Sequence, residues 1–234
     1  MDEIENKTIQ ANEYRVSPLQ HPTRRERKKL ATRNALQQAA LELITLKGLH
    51  NVTIEDIAEA ADVSNRTFFN YFPSKEEVLC ANVYDLGDEI ADYIASSTER
   101  LDSLTLLKNA ILETLLETLT ANSGIDKRQL LKSKMEIIYN EPQLFMAFAA
   151  AMVKMEKKVF FAMQERFTKN NPETPLDSDT AIYLASVVTG IFAVTRAMLM
   201  LWVMRNDTPP IEEMILRGIA QLENGFLTNK TFDQ

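Results

Sequence analysis

Val52-Thr53-Ile54-Glu55-Asp56-Ile57-Ala58-Glu59-Ala60-Ala61-Asp62-Val63-Ser64-Asn65-Arg66-Thr67-Phe68-Phe69-Asn70-Tyr71-Phe72 is the stretch on which the fold turns. Thr53 is suited to cap a helix whose first turn carries Glu55 and Asp56, acidic groups that favour a helix N-terminus. Ile54, Ile57, Ala58 and Ala61 recur at helical spacing and form one apolar stripe, with Ala60-Ala61 small enough for a close crossing. Asp62 tolerates the left-handed backbone of a tight inter-helix turn, although Gly would adopt it at lower cost. Val63 plugs the corner, and Ser64 caps a second short helix whose Phe68 and Phe72, four residues apart, face inward. Two short helices joined by so brief a turn form a helix-turn-helix, in which the second helix offers its N-terminal residues to the major groove.

Asn65, Arg66, Thr67 and Asn70 then fall on the outward face. Arg pairs bidentately with guanine, Asn with adenine, and the Thr methyl touches thymine. Tyr71 and Lys75 lie where backbone phosphate is within reach, helped by a helix N-terminus at Ser74, and Thr53 and Phe69 are counted with them as candidate DNA contacts. Upstream, Arg24-Arg25-Glu26-Arg27-Lys28-Lys29, with Arg33 just beyond, concentrates positive charge in a chain whose net charge is −7. Arg24, Arg25, Arg27 and Lys28 are therefore candidate phosphate contacts, while the acidic remainder repels non-specific contact. A plain helical hairpin with a solvated face accounts for the caps. It does not account for basic, amide and aromatic groups gathered beside a basic segment.

Outward from this stretch the patterning is helical throughout. Residues 1–23 are polar, aperiodic and contain Pro18 and Pro22, which reads as a flexible arm. Leu36, Ala39, Ala40, Leu43 and Ile44 mark one face of a helix over about 24–47, stopped by Gly48. Pro73 and Ser74 open a helix to about Ser97, and Asp102 or Ser103 caps the next, to about Ala121. Asn122-Ser123-Gly124 breaks the pattern before a helix from Ile125 to Asn140. Pro142 starts one that ends near Asn170, Ser178 one to about Arg205, and Pro209-Pro210 a last one closed near Gly225. With 6 Gly and 8 Pro among 234 residues there is little turn material for an all-β fold. The expected fold is all-α, with an N-terminal three-helix helix-turn-helix domain at 24–75 and a helical ligand-binding and dimerisation domain at 76–234.

Composition narrows the chemistry. The single Cys80 forms no intrachain disulfide, which suits a cytoplasmic location, and it sits in an apolar run. His21 and His50 lack partners at metal-ligand spacing, and neither a catalytic triad nor a glycine-rich phosphate loop is present. An enzyme, a metal and a cofactor are not expected. Ala181–Met204 is long and apolar enough to cross a bilayer, yet its centre holds Arg196, which costs about 2.5–3.5 kcal/mol on insertion scales. A buried or interfacial helix is the expectation, not a membrane span. Paired with the stripe Ile211, Met214, Ile215, Gly218, Ile219 and Leu222, it suits a four-helix homodimer interface. In the middle helices Leu107, Met135, Phe148, Met152 and Phe192 are suited to an adaptable apolar pocket. Arg196 needs a buried partner, either Glu136 or Glu156 across a helix interface or an anionic group of a ligand.

The run from about Thr32 to Leu79 resembles the N-terminal domain of the TetR (tetracycline repressor-like) family of bacterial transcriptional regulators. The resemblance rests on Ala39-Ala40-Leu41-Glu42-Leu43, Lys47-Gly48, Thr53-Ile54-Glu55-Asp56-Ile57-Ala58, Val63-Ser64, Thr67-Phe68 and Tyr71-Phe72-Pro73-Ser74-Lys75-Glu76. It departs at Asp62 for a turn glycine, Arg66 for a small residue, and Phe69 for a tyrosine that gives its hydroxyl to phosphate. The resemblance implies a dimeric regulator of operator DNA, a repressor released by a small apolar or amphipathic effector. A fainter similarity to the mycofactocin-regulator-like subgroup, in Thr67–Phe72 and in Arg196 ahead of Trp202, implies an acyl-CoA-type effector. The competing expectation is a helical sensor or carrier that keeps the fold without binding DNA.

Overall fold

The computed structural model describes residues 23–120 and 126–225. The expected arm, Thr23 apart, and the break at Asn122–Gly124 lie outside the described residues. Within them the chain forms nine α-helices and no strand: α1 (Arg24–Lys47), α2 (Ile54–Ala60), α3 (Asn65–Phe69), α4 (Lys75–Ser96), α5 (Ser103–Thr120), α6 (Lys127–Asn140), α7 (Pro142–Asn170), α8 (Ser178–Met204) and α9 (Ile211–Glu223). A 3₁₀ turn at Leu49–Asn51 joins α1 to α2.

Side-chain caps set most of the helix starts. Asp102 Oδ1 accepts from the Leu104 and Thr105 amides at 3.1 and 3.0 Å, and Asp177 accepts from Thr180 at 2.8 Å. Asp126 accepts from Arg128 and Gln129, so α6 starts at Lys127, two residues later than the pattern suggests. Each cap satisfies amides that the helix itself leaves orphaned.

α1, α2 and α3 pack together, and α4 runs from them along α7. Leu36, Ala40, Ile57, Phe68 and Phe72 build the N-terminal core, while Ile94, Leu107, Leu144, Val159, Leu184 and Ile191 fill that of the larger helical body. Two glycines permit unusually close crossings. A Cβ at Gly87 on α4 would lie 2.9 Å from Met155 Cγ on α7, and one at Gly218 on α9 would lie 2.6 Å from Val194 Cγ1 on α8. Interiors at crystal-like density have no slack for such a methyl.

α4 is the mechanical link. Arg33 of α1 donates to Asp85 at 2.5 Å and Gln37 to Asn82 at 2.6 Å. On its other side Asp88 pairs with Lys158 of α7. At its far end Arg166 of α7 donates to the carbonyls of Ile94, Ser97 and Glu99 at 2.5–2.8 Å, satisfying the orphaned end of the helix. Arg33 is thus engaged inside the fold, a correction to its grouping with the basic segment: its guanidinium also lies 5.8 Å over the Phe72 ring.

Candidate nucleic-acid interface

Local chemistry dictates the geometry of the helix-turn-helix. Thr53 accepts from the Asp56 amide, and the Asp56 carboxylate accepts in return from the Thr53 backbone N–H at 2.8 Å and from its hydroxyl at 2.7 Å. This reciprocal capping box holds the Asp56 carboxyl below its ordinary range. The corner closes where Val63 N–H donates to the Ala58 carbonyl at 2.9 Å. Asp62 stands at φ 53°, the one non-glycine with positive φ among the described residues. Ala60 faces solvent instead of the helix crossing; Ile57 and Ala58 make the buried contact.

The left-handed turn makes a direct prediction. Asp62→Gly removes the Cβ clash and is expected to stabilise the protein by about 0.5–1 kcal/mol, whereas Asp62→Ala, lacking a side chain that bonds locally, costs about 1 kcal/mol. Thermal unfolding of the two variants beside the parent checks the order. Alanine equal to glycine would remove strain at the turn as the explanation.

Ser64 accepts from the Thr67 amide at 3.2 Å and starts α3, and the two hydroxyls lie 2.9 Å apart. Phe68 is wholly buried, its ring 6.0 Å from that of Phe72, and it anchors α3 so that the opposite face points outward. On that face Arg66 and Asn70 are exposed, and the Arg66 side chain makes no hydrogen bond or ion pair among the described residues. Phe69, 55% exposed, packs edge-on against Phe68 at 5.6 Å. Tyr71 is half-buried and tilted against Phe72. Arg24, Arg25, Arg27 and Lys28 are exposed on the first turns of α1.

Three of the residues singled out for DNA are partly committed elsewhere. The Asn65 amide donates to Glu55 Oε1 at 2.8 Å, pinning α3 to α2. Thr53 spends its hydroxyl on the capping box. Lys75 Nζ donates to the Leu49 and Val52 carbonyls, each at 2.7 Å, and so closes the 3₁₀ turn against the start of α4. The Asn65 and Lys75 contacts are not visible in local sequence, because each joins separately folded turns, whereas the Thr53 cap is local.

The six residues singled out for a pocket lie on α5, α6, α7 and α8 of the body. Leu107, Met135, Phe148, Met152 and Phe192 are buried core. Arg196 and Glu156 form an ion pair between α8 and α7, with the Glu156 side chain 18% and that of Arg196 36% exposed. The pair thus resolves in favour of Glu156 over Glu136. Tyr139 stands close to Arg196, and its ring lies 6.0 and 6.4 Å from those of Phe145 and Phe148. A cavity of about 80 Å³ lies instead at the other end of α7, lined by Leu101, Ser103, Leu106, Met163, Arg166, Phe167, Asn170 and Asn171. Small-molecule sites run to about 300–1,000 Å³, well above the size of this cavity.

An outward-facing short helix on a capped corner, among nine described helices, defines a helix-turn-helix protein of all-α class. Residues 36–81 match the family model for bacterial regulatory proteins, tetR family. Over 57 residues the chain is 51% identical to the HTH-type transcriptional regulator TcmR of Streptomyces glaucescens, covering 24% of this chain and 25% of TcmR. Over 124 residues it is 27% identical to a Mycobacterium tuberculosis protein described as a mycofactocin biosynthesis transcriptional regulator, MftR, covering 53% of this chain and 60% of MftR. The chain therefore spans between a quarter and three fifths of the length of these relatives. Among solved structures, a protein of Syntrophomonas wolfei described as a TetR-family transcriptional regulator superposes with a TM-score of 0.56 at 18% identity, covering 88% of this chain and 100% of that one. The match to the tetR family of bacterial regulatory proteins thus lies in the helix-turn-helix segment, and the likeness to the solved structure shows a shared fold.

Proposed function

We propose that this protein is a dimeric, DNA-binding transcriptional regulator, a repressor released from its operator by a small apolar or amphipathic effector. The observation that carries the reading is the unengaged Arg66 on the outward face of α3, beside exposed Asn70 and the exposed basic turns of α1. Residues 24–75 act as the reading head and 76–234 as the effector-binding and dimerising body. Arg66, Thr67 and Asn70 read base edges; Arg24, Arg25, Arg27 and Lys28 neutralise phosphates, with Thr53, Asn65, Phe69, Tyr71 and Lys75 around them.

The dimer reading draws support from α8. Only 28% of its most apolar 18-residue window is buried within the chain. Ile182, Ser186, Thr189, Ala193, Ala197, Met200 and Met204, spaced three and four apart, are all exposed along one stripe. Such a stripe, small in its centre and apolar at its ends, suits a close helix crossing with a second copy, to which α9 adds exposed Leu216. Two heads so joined suit half-sites one helical turn apart, about 34–36 Å. The effector is placed among Leu107, Met135, Phe148, Met152, Phe192 and Arg196, where Met side chains repack readily.

The test is binding of the purified protein to DNA from just upstream of its own gene, against random duplex, as salt is varied. Arg66→Ala and Thr67→Ala are expected to weaken specific binding by about 10–100-fold each while the dimer stays folded. Neutralising the basic residues of 24–29 is expected to weaken binding to all DNA and to flatten the salt dependence. Specific affinity unchanged by both would refute the groove-reading role, and a folded protein that binds no duplex specifically would favour a sensor or carrier of the same fold.

A further inference from the structure

The last turns of α7 close on the loop between α4 and α5 around the cavity of about 80 Å³. Met163 stands roughly 16 Å along α7 from Met152, so this space is separate from the buried residues assigned to the effector. Its walls are of two kinds. Leu106, Met163 and Phe167 supply an apolar side, and Ser103, Arg166 and Asn171 a polar one. Leu106 and Met163 are buried core, which holds the shape of the space.

Arg166 gives the cavity its chemistry. Its Nη1 donates to the Ile94 and Ser97 carbonyls at 2.8 and 2.5 Å, and its Nη2 to that of Glu99 at 2.8 Å. Of the five N–H groups of a guanidinium, Nε–H and one on Nη2 are left, neighbours on one edge of the plane. That edge is the fork that takes a carboxylate through two parallel bonds. The engaged partners are all neutral carbonyls, and Arg166 joins no ion pair among the described residues. The helix end that it caps offsets about half a unit of charge, so positive charge remains for a ligand. Every fully buried side-chain nitrogen and oxygen among the described residues has a partner, so the unbonded Arg166 Nε and Ser103 hydroxyl both touch open space. Asp102, the acid next to Ser103, turns its carboxylate to the Leu104 and Thr105 amides.

We propose that this cavity is a second binding site, one that takes a short-chain monocarboxylate. The carboxylate meets the open edge of Arg166 and the Ser103 hydroxyl, and the tail lies against Leu106, Met163 and Phe167. This goes beyond the effector reading above and does not rest on it. Volume sets the length of the tail. A water occupies about 10–15 Å³ of such space, so the cavity holds about five to eight non-hydrogen atoms, the size of propionate to hexanoate. A neutral amide of the same length is the nearest competitor. Asn171 Oδ1 offers it an acceptor, because the Asn171 amide nitrogen is engaged with the Phe167 carbonyl at 2.8 Å. A charge-assisted pair outweighs one neutral hydrogen bond, which favours the carboxylate.

The experiment is calorimetric titration of the full-length protein with sodium butyrate at neutral pH and fixed ionic strength, beside butyramide and decanoate. One butyrate per chain is expected, with a Kd at or below about 1 mM. Butyramide is expected to bind at least about tenfold more weakly. Ser103→Leu fills the cavity from the first turn of α5 and leaves the Asp102 cap in place. It is expected to keep the thermal midpoint of the parent and to lose butyrate affinity by at least about tenfold. Arg166→Gln is expected to lose as much, and Ser103→Leu carries the test if the loop at Ser97–Glu99 fails to fold without the guanidinium. Decanoate, too long for the space, is expected not to displace butyrate. Butyramide binding as tightly as butyrate, unchanged affinity in folded Ser103→Leu, displacement by decanoate, or no saturable binding below about 10 mM would each overturn the proposal.

Discussion

Phe68→Ala is expected to destabilise the N-terminal helices by about 3–5 kcal/mol and to abolish operator binding while the helical body stays folded. The ring is wholly buried in a helix of five residues, and α3 makes no other buried contact. Removing it costs the transfer energy of the ring and leaves a cavity bounded by Phe72 and the exposed Phe69, which packs against it at 5.6 Å. A helix this short has no stability of its own and depends on tertiary packing. A loss of that size is comparable to the whole stability of a small domain. Hydrogen exchange resolved by segment, with α8 and α9 as internal reference, measures the effect. Protection of α1–α3 unchanged by the substitution would show that the head is held by something other than this ring. Phe68→Leu, which fills most of the volume, is expected to fall between the two.

Lys134→Met is expected to stabilise the protein below pH 8, by roughly 2–3 kcal/mol. The folded protein holds this ammonium at about 8 against 10.5 in the open chain, each unit being worth about 1.4 kcal/mol and residual solvent contact trimming the sum. The sign follows from proton counting. Below about pH 8 both states carry the proton, and folding bears the full cost of an unpaired, desolvated charge. Between about 8 and 10.5 the folded state has released it and the unfolded state has not, so stability rises with pH over that window. Methionine matches the length and suits the stripe of Leu131, Met135 and Ile138. Denaturant unfolding from pH 6.5 to 10.5 is expected to show the parent gaining on the variant until the two curves meet. Parallel curves, or a variant less stable at neutral pH, would show that Lys134 is compensated in the native state.

Much of the fold is legible in the residues because its controlling interactions are local. The caps at Thr53, Ser64, Ser74, Asp102 and Asp177 bond to amides two or three residues on, so the sequence window contains both partners. The same holds for Asp62, whose positive φ is a property of one residue in one turn. Helix ends at Lys47, Asn140 and Asn170 follow from Gly48, Pro142 and the polar loop beyond Asn170. The outward face of α3 follows from the inward pair Phe68 and Phe72 by helical geometry alone.

The tertiary structure decided which of these groups are free to act. Lys75 and Asn65 look available in the linear chain, and the fold engages the first with two carbonyls of the 3₁₀ turn and the second with Glu55. Arg33 belongs to the α1–α4 junction, 52 residues from its partner Asp85 in the chain. Arg196 had two carboxylates in prospect, and only the packing of α7 against α8 selected Glu156. Lys134 is indistinguishable in sequence from Lys132, which reaches out to the Arg205 carbonyl and Asn206. Helical periodicity fixes a face only to within about a quarter turn, and burial depends on what packs against that face. Local spacing therefore determined the helices, their caps and the helix-turn-helix of this protein. The choice of charge partners, the buried amine and the unpaired stripe of α8 came from the long-range packing of helices, which no local window contains.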